Sequence, residues 1–183
     1  SPLPRTAQHF AYELHTLLER ANIAGPYLLV GHSLGGLTVR IFVHDYPTEV
    51  VGVVLIESMN PGQMAQSQTE TTPQTPYQPN DFSLPFLVGR IGLVRLLAEP
   101  LGLIQHLPAQ TQSAYAAFAV TPRTVRESVD EFSSVQVSLA QADAVSSFGD
   151  LPLIVLTAAL NQQVDWQTMQ TELLLLSSNS QQM

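Results

Sequence analysis

The sequence of 183 residues contains no cysteine and no lysine. Without cysteine the chain can form no disulfide, no thiolate nucleophile and no cysteine-ligated metal site, while either redox compartment remains open to it. Its 7 cationic residues are all arginines and are outnumbered by 15 acidic residues, which argues against binding to nucleic acid or another polyanion. No uncharged apolar run reaches 18 residues, so every such run is too short to cross a membrane as a helix. Membrane contact is therefore not expected.

Apolar residues are what the chain has in quantity: they make up 45% of it, against 12% charged residues. That balance excludes a disordered chain and predicts a sizeable core. At roughly 100 to 200 residues per domain, the length suits one domain. The chain begins at Ser1 with neither a charged start nor an apolar signal run. No targeting signal can therefore be read from the sequence, and the compartment stays undetermined.

Two kinds of apolar segment alternate along the chain. Apolar residues spaced three and four apart predict helices, and short continuous apolar runs predict strands buried on both faces. Helix, strand, helix, strand is the order of a parallel α/β sheet. The predicted elements are a helix at about 6–22, a strand at 27–30, a helix at about 34–46, strands at 50–56 and 151–157, and a helix at about 166–176.

The segment between the second and third predicted strands differs from the rest. Residues 60–80 are rich in Gln, Thr, Ser and Pro without apolar periodicity, which indicates an irregular excursion. Residues 82–107 are apolar but interrupted by charges and prolines, and residues 109–147 show helical spacing. We therefore expect a core formed by residues 1–59 and 150–183, with residues 60–149 as a helical insertion.

A glycine-rich motif follows the first predicted strand. Residues 31–36 read GHSLGG and match G-x-S-x-G in the strand, tight turn and helix context that this elbow requires. There Ser33 would occupy a strained turn, and Gly31 and Gly35 would let strand and helix pack closely. The Leu34 N–H, at a helix N-terminus, could stabilise an oxyanion. A plain glycine-rich turn is the competing interpretation; a phosphate-binding loop needs the lysine that the chain lacks.

From PLPRTAQHF through GPYLLVGHSLGGLTVRIFVHDYPTEVVGVVLIESMNPGQ, the sequence resembles the α/β-hydrolase family, in particular its bacterial lipase, esterase and aminopeptidase-like members. The resemblance implies a partial α/β-hydrolase fold, with a mostly parallel sheet, flanking helices and a helical cap. It also implies an enzyme that acts on a small molecule without a metal or cofactor. By position, Ser33 would be the nucleophile, Leu34 would give one oxyanion N–H, and His32 would merely precede the nucleophile.

Two acids could orient the histidine base that a serine nucleophile needs. Glu57 directly follows the strand at 50–56, at the carboxyl edge where such sheets collect ligands. Asp165 lies eight residues beyond Thr157, after the last predicted strand. We favour Glu57 because it directly follows the last residue of its strand, and we keep Asp165 as the alternative. Glu57 could instead be a strand-end carboxylate that caps the following turn.

The base itself is missing from its expected place. The family order is serine, acid, histidine, yet no histidine follows His106. His44 lies 11 residues after Ser33 on the same predicted helix, or roughly 16 Å along its axis, and cannot serve. His9 and His15 lie on the preceding helix and are most simply solvated or packing residues. No strand precedes Thr6 to supply a second oxyanion donor, so we expect an internal fragment of a longer hydrolase, inactive by itself.

The expected substrate is an apolar ester-like small molecule, because the insertion is rich in aliphatic side chains that could wall a pocket. These residues could equally serve only to pack the insertion. A hydrolase-like module that binds a ligand without catalysis is the alternative function. The scissile bond and the oligomeric state stay open. The aliphatic and aromatic residues in question are Leu84, Phe86, Leu87, Val88, Ile91, Leu93, Val94, Leu96 and Leu97.

Overall fold

The structure, a computed structural model, describes residues 4–62, 108, 110–112, 114–115, 122–158 and 164–183. The chain divides into two compact units, one made of Ser1–Thr72 with Ser134–Met183 and the other of Pro73–Ser133. Helix α3 belongs to the second unit, and the remaining elements belong to the first. In chain order the elements are α1 (Ala7–Arg20), β1 (Tyr27–His32), α2 (Gly35–Asp45), a 3-10 turn (Pro47–Glu49), β2 (Val50–Ile56), α3 (Pro122–Ser133), α4 (Val135–Asp143), β3 (Leu153–Leu156), α5 (Val164–Glu172), a second 3-10 turn (Leu173–Leu176) and β4 (Ser180–Gln182).

The first unit is built on a sheet of four parallel strands in the order β1-β2-β3-β4. The three predicted strands are confirmed, and the fourth was not predicted. It is only three residues long, Ser-Gln-Gln, without an apolar pattern that could predict it, and among the described strands it pairs with β3. In a parallel sheet all carboxyl ends meet at one edge, which brings the residues after β1, β2 and β3 together.

Helix α1 begins and ends where its side chains predict. Thr6 caps its N-terminus and accepts a hydrogen bond from the His9 N–H at 3.4 Å. Beyond the last turn, Asn22 has a φ of 52°, a left-handed conformation that asparagine tolerates. The predicted helices at 6–22 and 34–46 are thus confirmed within two residues at each end.

Helix α4 belongs to the core unit, although the sequence placed it in the insertion. Its Ser138 is buried, and the hydroxyl accepts a hydrogen bond from the Ala7 N–H of α1 at 2.9 Å. Arg40 of α2, also buried, donates from Nε to the Val145 carbonyl just beyond α4 at 2.9 Å, with a second bond from the guanidinium. Burial lowers the pKa of Arg40, and nearby Asp143 partly opposes this. The boundary of the core therefore lies before α4, at residues 133 and 134, rather than at 149 and 150.

The core lies on one face of the sheet, and the opposite face of β1 is open. Leu29 is buried, whereas Leu28 and Val30 are 63% and 58% exposed. The prediction that β1 is buried on both faces was therefore wrong for these residues, because an apolar run does not tell which faces a protein covers. Within the described residues, no helix is long and apolar enough to cross a membrane. The core comprises Ala7, Ala11, Leu29, Leu37, Val39, Ile41, Phe42, Val43, Val50, Val53, Leu55, Leu139, Ala142, Val145, Phe148, Leu153, Val155, Leu173 and Leu176.

Candidate active site

Ser33 lies at the turn between β1 and α2 with a φ of 52°. Its N–H donates to the Ile56 carbonyl at 3.2 Å, which ties the turn to the end of β2. Its carbonyl accepts from the N–H groups of Gly36 at 3.1 Å and Met59 at 3.0 Å. A residue with a Cβ is strained in this left-handed conformation, and three hydrogen bonds hold it there. Its backbone is therefore bonded to both α2 and the segment after β2.

Two glycines allow the close approach around Ser33, and one of them is Gly31, which the sequence suggested. A Cβ on Gly31 would lie 2.8 Å from the Gly36 Cα, so Gly31 is needed as predicted. A Cβ on Gly36 would lie only 1.8 Å from the Ser58 Oγ. Among the described residues nothing comes within 4 Å of a Cβ built on Gly35. The packing role predicted for Gly35 was therefore wrong, and Gly36 has it instead. The second glycine of the Gly35–Gly36 pair was the feature of the sequence that could have indicated this.

The backbone next to Ser33 offers one donor. Leu34 stands at the N-cap of α2 with helical φ and ψ of −58° and −31°. In the part of the chain that the structure describes, no acceptor is bonded to its N–H. At a helix N-terminus this group lies where partial positive charge gathers, so it can stabilise a negative oxygen beside Ser33. His32, the last residue of β1, is exposed.

Glu57 takes the equivalent position on the neighbouring strand. The register pairs His32 with Ile56, so Ser33 and Glu57 are the next residues of two adjacent parallel strands. Glu57 also has a left-handed backbone, with a φ of 44°, and its N–H donates to the Leu156 carbonyl at 3.0 Å. The two candidate residues therefore meet at one edge of the sheet.

The carboxylate of Glu57 accepts hydrogen bonds from two other elements. The Ala158 N–H, just after β3, donates to Oε1 at 2.6 Å, and the Trp166 indole Nε1–H of α5 donates to Oε2 at 2.9 Å. Asp165, the alternative acid, lies in α5 beside Trp166, and its side chain is outside what the structure describes. Sequence reasoning missed Trp166, because no local pattern tells that α5 docks against the end of β2.

The segment formed by residues 57–60, which we call the acid loop, is bound to α5 at two further points. Gln170 Nε2 donates to the Ser58 carbonyl at 2.6 Å. Asn60 Nδ2 donates to the Met169 carbonyl at 2.6 Å, and Asn60 Oδ1 accepts from the Gly62 N–H at 2.8 Å. Ser58, Asn60 and Gln170 are all buried. Residues 57–59 thus belong to the core as predicted, and buried Asn60, which the sequence assigned to the insertion, packs with them.

The histidines that the structure describes lie in other interactions. His9 Nε2 is 3.0 Å from Glu13 Oε1, and His15 Nε2 is 3.0 Å from Glu49 Oε1. His15 also stacks on Tyr46 with ring centroids 3.8 Å apart, so it is a packing residue, whereas His9 is paired with Glu13 on its own helix. His44 is 60% exposed, and no described side chain is hydrogen-bonded to the Ser33 hydroxyl. His106 lies outside the described residues, as do the aliphatic residues at 84–97. Within the described residues, no three His, Asp or Glu side chains are grouped to hold a metal.

A family model described as the alpha/beta hydrolase fold matches residues 2–173. That range includes the elbow, the acid loop, β3 and α5. The expected fold class is thereby confirmed, because the match covers nearly the whole chain and the structure has the parallel sheet with the turn of Ser33 after its first strand.

Individual relatives are more distant. The chain is 40% identical over 57 residues to "Probable transporter efuK" of Hormonema carpetanum and 36% identical over 58 residues to an "AB hydrolase superfamily protein" of Gibberella zeae. Each match covers 30% of this chain, and 8% and 18% of the respective relatives. A candidate acyltransferase from Salmonella enterica, solved as a crystal structure, superposes with a TM-score of 0.69 at 18% identity, over 98% of this chain and 62% of that protein. At that identity the likeness shows the fold alone.

Proposed function

The chain belongs to the α/β-hydrolase fold family, and on that premise we propose that it carries the nucleophile and the acid of a serine hydrolase acting by acyl transfer. The observation that carries the proposal is Ser33, held at a φ of 52° between a parallel strand and a helix N-terminus. Strain of this kind persists where surrounding structure enforces it, and it clusters at active sites. The neighbouring Leu34 N–H supplies the donor that the reaction needs.

The proposed reaction proceeds through a covalent intermediate on Ser33. A bond forms between its Oγ and the carbonyl carbon of an ester, while the hydroxyl proton passes to a histidine base. The negative oxygen of the tetrahedral intermediate lies against the Leu34 N–H, and one such donor lowers the barrier by about 3 kcal/mol. The ester C–O bond then breaks, and the alcohol leaves with the proton. Water attacks the acyl group in the same way and releases the acid.

We propose Glu57 rather than Asp165 as the acid. Three observations support Glu57: its place beside Ser33 in the strand register, its left-handed backbone, and the two donors that fix its carboxylate. A purely structural carboxylate would explain the donors, since these join β3 and α5 to β2. It would not explain why a residue with a Cβ is kept at a φ of 44° next to the elbow.

These 183 residues contain no histidine after His106, so they do not themselves supply a base at the position that the family order implies. We therefore expect the 183 residues by themselves not to turn over esters. As substrate we propose an apolar ester-like small molecule, on the aliphatic character of residues 84–97. A binding module without catalysis is the second candidate, and the missing histidine is the observation that favours it.

The test is ester turnover by the protein translated from the complete reading frame. We expect hydrolysis of short activated esters, its abolition in Ser33→Ala, and a drop of about a thousandfold or more in Glu57→Gln. Asp165→Asn is the matched control, and its rate should stay near that of the parent. Full turnover by Ser33→Ala would refute the serine mechanism, whereas loss in Asp165→Asn with retention in Glu57→Gln would move the acid to Asp165. A folded, ligand-binding protein without turnover would favour the binding module.

A further inference from the structure

We propose that Trp166 is a positioning residue, which holds the Glu57 carboxylate in one orientation through its indole N–H. The inference rests on the proposed role of Glu57 as the acid. Its basis is the hydrogen bond of 2.9 Å from Trp166 Nε1 to Glu57 Oε2, which reaches from α5 to the end of β2. Trp166 is the single tryptophan of the chain, and its ring is half-buried.

Two donors on different oxygens fix a carboxylate more completely than one. Ala158 N–H holds Oε1 from the end of β3, and Trp166 holds Oε2 from α5. With one oxygen bound on each side, the carboxylate cannot rotate about its last bond without breaking a hydrogen bond. A hydrogen bond to an ionised acceptor is about twice as strong as one between neutral groups. The plane of the carboxylate is thereby set by two separate elements.

The indole donor is itself held in place, because α5 is bound to two residues of the acid loop that follow Glu57. Gln170 and Met169, one turn after Trp166, bond to Ser58 and Asn60 respectively, each at 2.6 Å. The acid loop in turn contacts the elbow through the bond from the Met59 N–H to the Ser33 carbonyl. A continuous set of hydrogen bonds therefore joins α5, the acid and the nucleophile turn.

The consequence for catalysis concerns orientation. An acid in such a site orients the histidine and stabilises its charged form, which requires a carboxylate held in a fixed direction. Loss of the indole donor removes the hydrogen bond by which α5 holds Oε2, and with it one of the contacts that set the direction of the carboxylate. We therefore expect Trp166 to act on the rate of the chemical step and not on substrate binding.

The contact itself can be tested in the 183-residue chain by NMR, independently of any activity. One tryptophan gives one indole N–H signal, which should shift as the Glu57 carboxyl is protonated on acidification. The Ala158 amide shares that carboxylate and should titrate with the same midpoint. Glu57→Gln should abolish both titrations, and Asp165→Asn should leave both unchanged. An indole signal that does not titrate, that titrates apart from Ala158, or that loses its titration in Asp165→Asn would overturn the proposal.

The positioning role is tested in the protein from the complete reading frame. Trp166→Phe keeps an aromatic ring and removes only the donor. We expect kcat to fall between about ten- and a hundredfold with KM unchanged. A Trp166→Phe enzyme with unchanged kcat would overturn the role, as would a rise in KM alone. If Ser33→Ala retains turnover while the indole and Ala158 still titrate together, the proposed function fails and the contact stands, so the two failures are distinguishable.

Discussion

At the scale of single residues, Ser33 and Glu57 share an unfavourable backbone conformation, with φ values of 52° and 44°. Asn22 is the other non-glycine residue with positive φ in the described part of the chain, and it lies at a helix end where asparagine is well tolerated. Serine and glutamate have no such preference. Strain therefore falls on the ends of two neighbouring strands, the two positions where the proposed chemistry needs side chains directed out of the sheet.

The strain at Ser33 predicts an order of stability among its variants. Ser33→Gly removes the Cβ that clashes in the left-handed region, whereas Ser33→Ala keeps it. We expect Ser33→Gly to be more stable than Ser33→Ala by about 1 kcal/mol. Urea unfolding of the 183-residue chain measures the difference, and equal stability of the two variants would show that the turn is not strained.

The sequence was sufficient to predict Ser33, Leu34 and Glu57 as candidates, because each follows directly from a strand or begins a helix. It could not predict Trp166 or Gln170. Their bonds to the acid loop depend on how α5 docks onto the sheet, a tertiary contact more than 100 positions away in sequence, 109 for Trp166 and 112 for Gln170. Docking of this kind leaves no local pattern.

At the scale of elements, the distance between α2 and the acid loop depends on Gly36. A Cβ there would lie 1.8 Å from Ser58 Oγ and 2.7 Å from Ser58 Cβ. We expect Gly36→Ala to destabilise the chain by about 1 to 3 kcal/mol, the usual cost of overpacking. Gly35→Ala, at the preceding position on α2, should be neutral or stabilising, since alanine is favoured over glycine in helices.

Thermal or urea unfolding of both variants checks this difference. The double variant Gly36→Ala with Ser58→Gly removes the clashing side chain and should recover part of the loss. If Gly36→Ala proved no more harmful than Gly35→Ala, the close approach of α2 to the acid loop would be wrong.

Helices and strands were predicted correctly where their own sequence has an apolar pattern and end signals. They were not predicted where their structure depends on the elements that pack or pair with them. The helices at 6–22 and 34–46 have apolar spacing and end signals, and they are confirmed. The strand β4 has neither: it consists of Ser180 and two glutamines, and among the described strands it is paired with β3. Which face of β1 is exposed depends on where the helices pack on the sheet. The apolar run at 27–30 would look alike with one face covered or with both, so the sequence could not distinguish the two cases.

At the scale of the whole molecule, the order of helices and strands was enough to predict the fold class. Parallel strands require helical crossovers, and this constraint leaves few topologies open. The boundary of the core was not predictable in the same way. Helix α4 belongs to the core because Ser138 and Arg40 tie it to α1 and α2, and these contacts lie 131 and 105 positions apart in sequence.

The α/β-hydrolase fold brings these residues and elements together at one end of the sheet. The parallel sheet sets Ser33 and Glu57 side by side, α2 supplies the N–H of Leu34, and α5 holds the Glu57 carboxylate through Trp166. Helices α2 and α5 belong to two different crossovers, so these groups come together only when the sheet is assembled. Above all, we propose that Ser33 is the nucleophile whose Oγ carries the acyl group in a covalent intermediate.

Mass spectrometry of the acylated protein tests that claim most directly. The protein from the complete reading frame is mixed with a short activated ester, quenched in acid and digested with trypsin. Cleavage after Arg20 and Arg40 releases residues 21–40, the peptide that contains Ser33. We expect this peptide to gain the mass of the acyl group and to lose that gain in Ser33→Ala. Ester turnover with the acyl group on another peptide, or undiminished turnover in Ser33→Ala, would contradict the account.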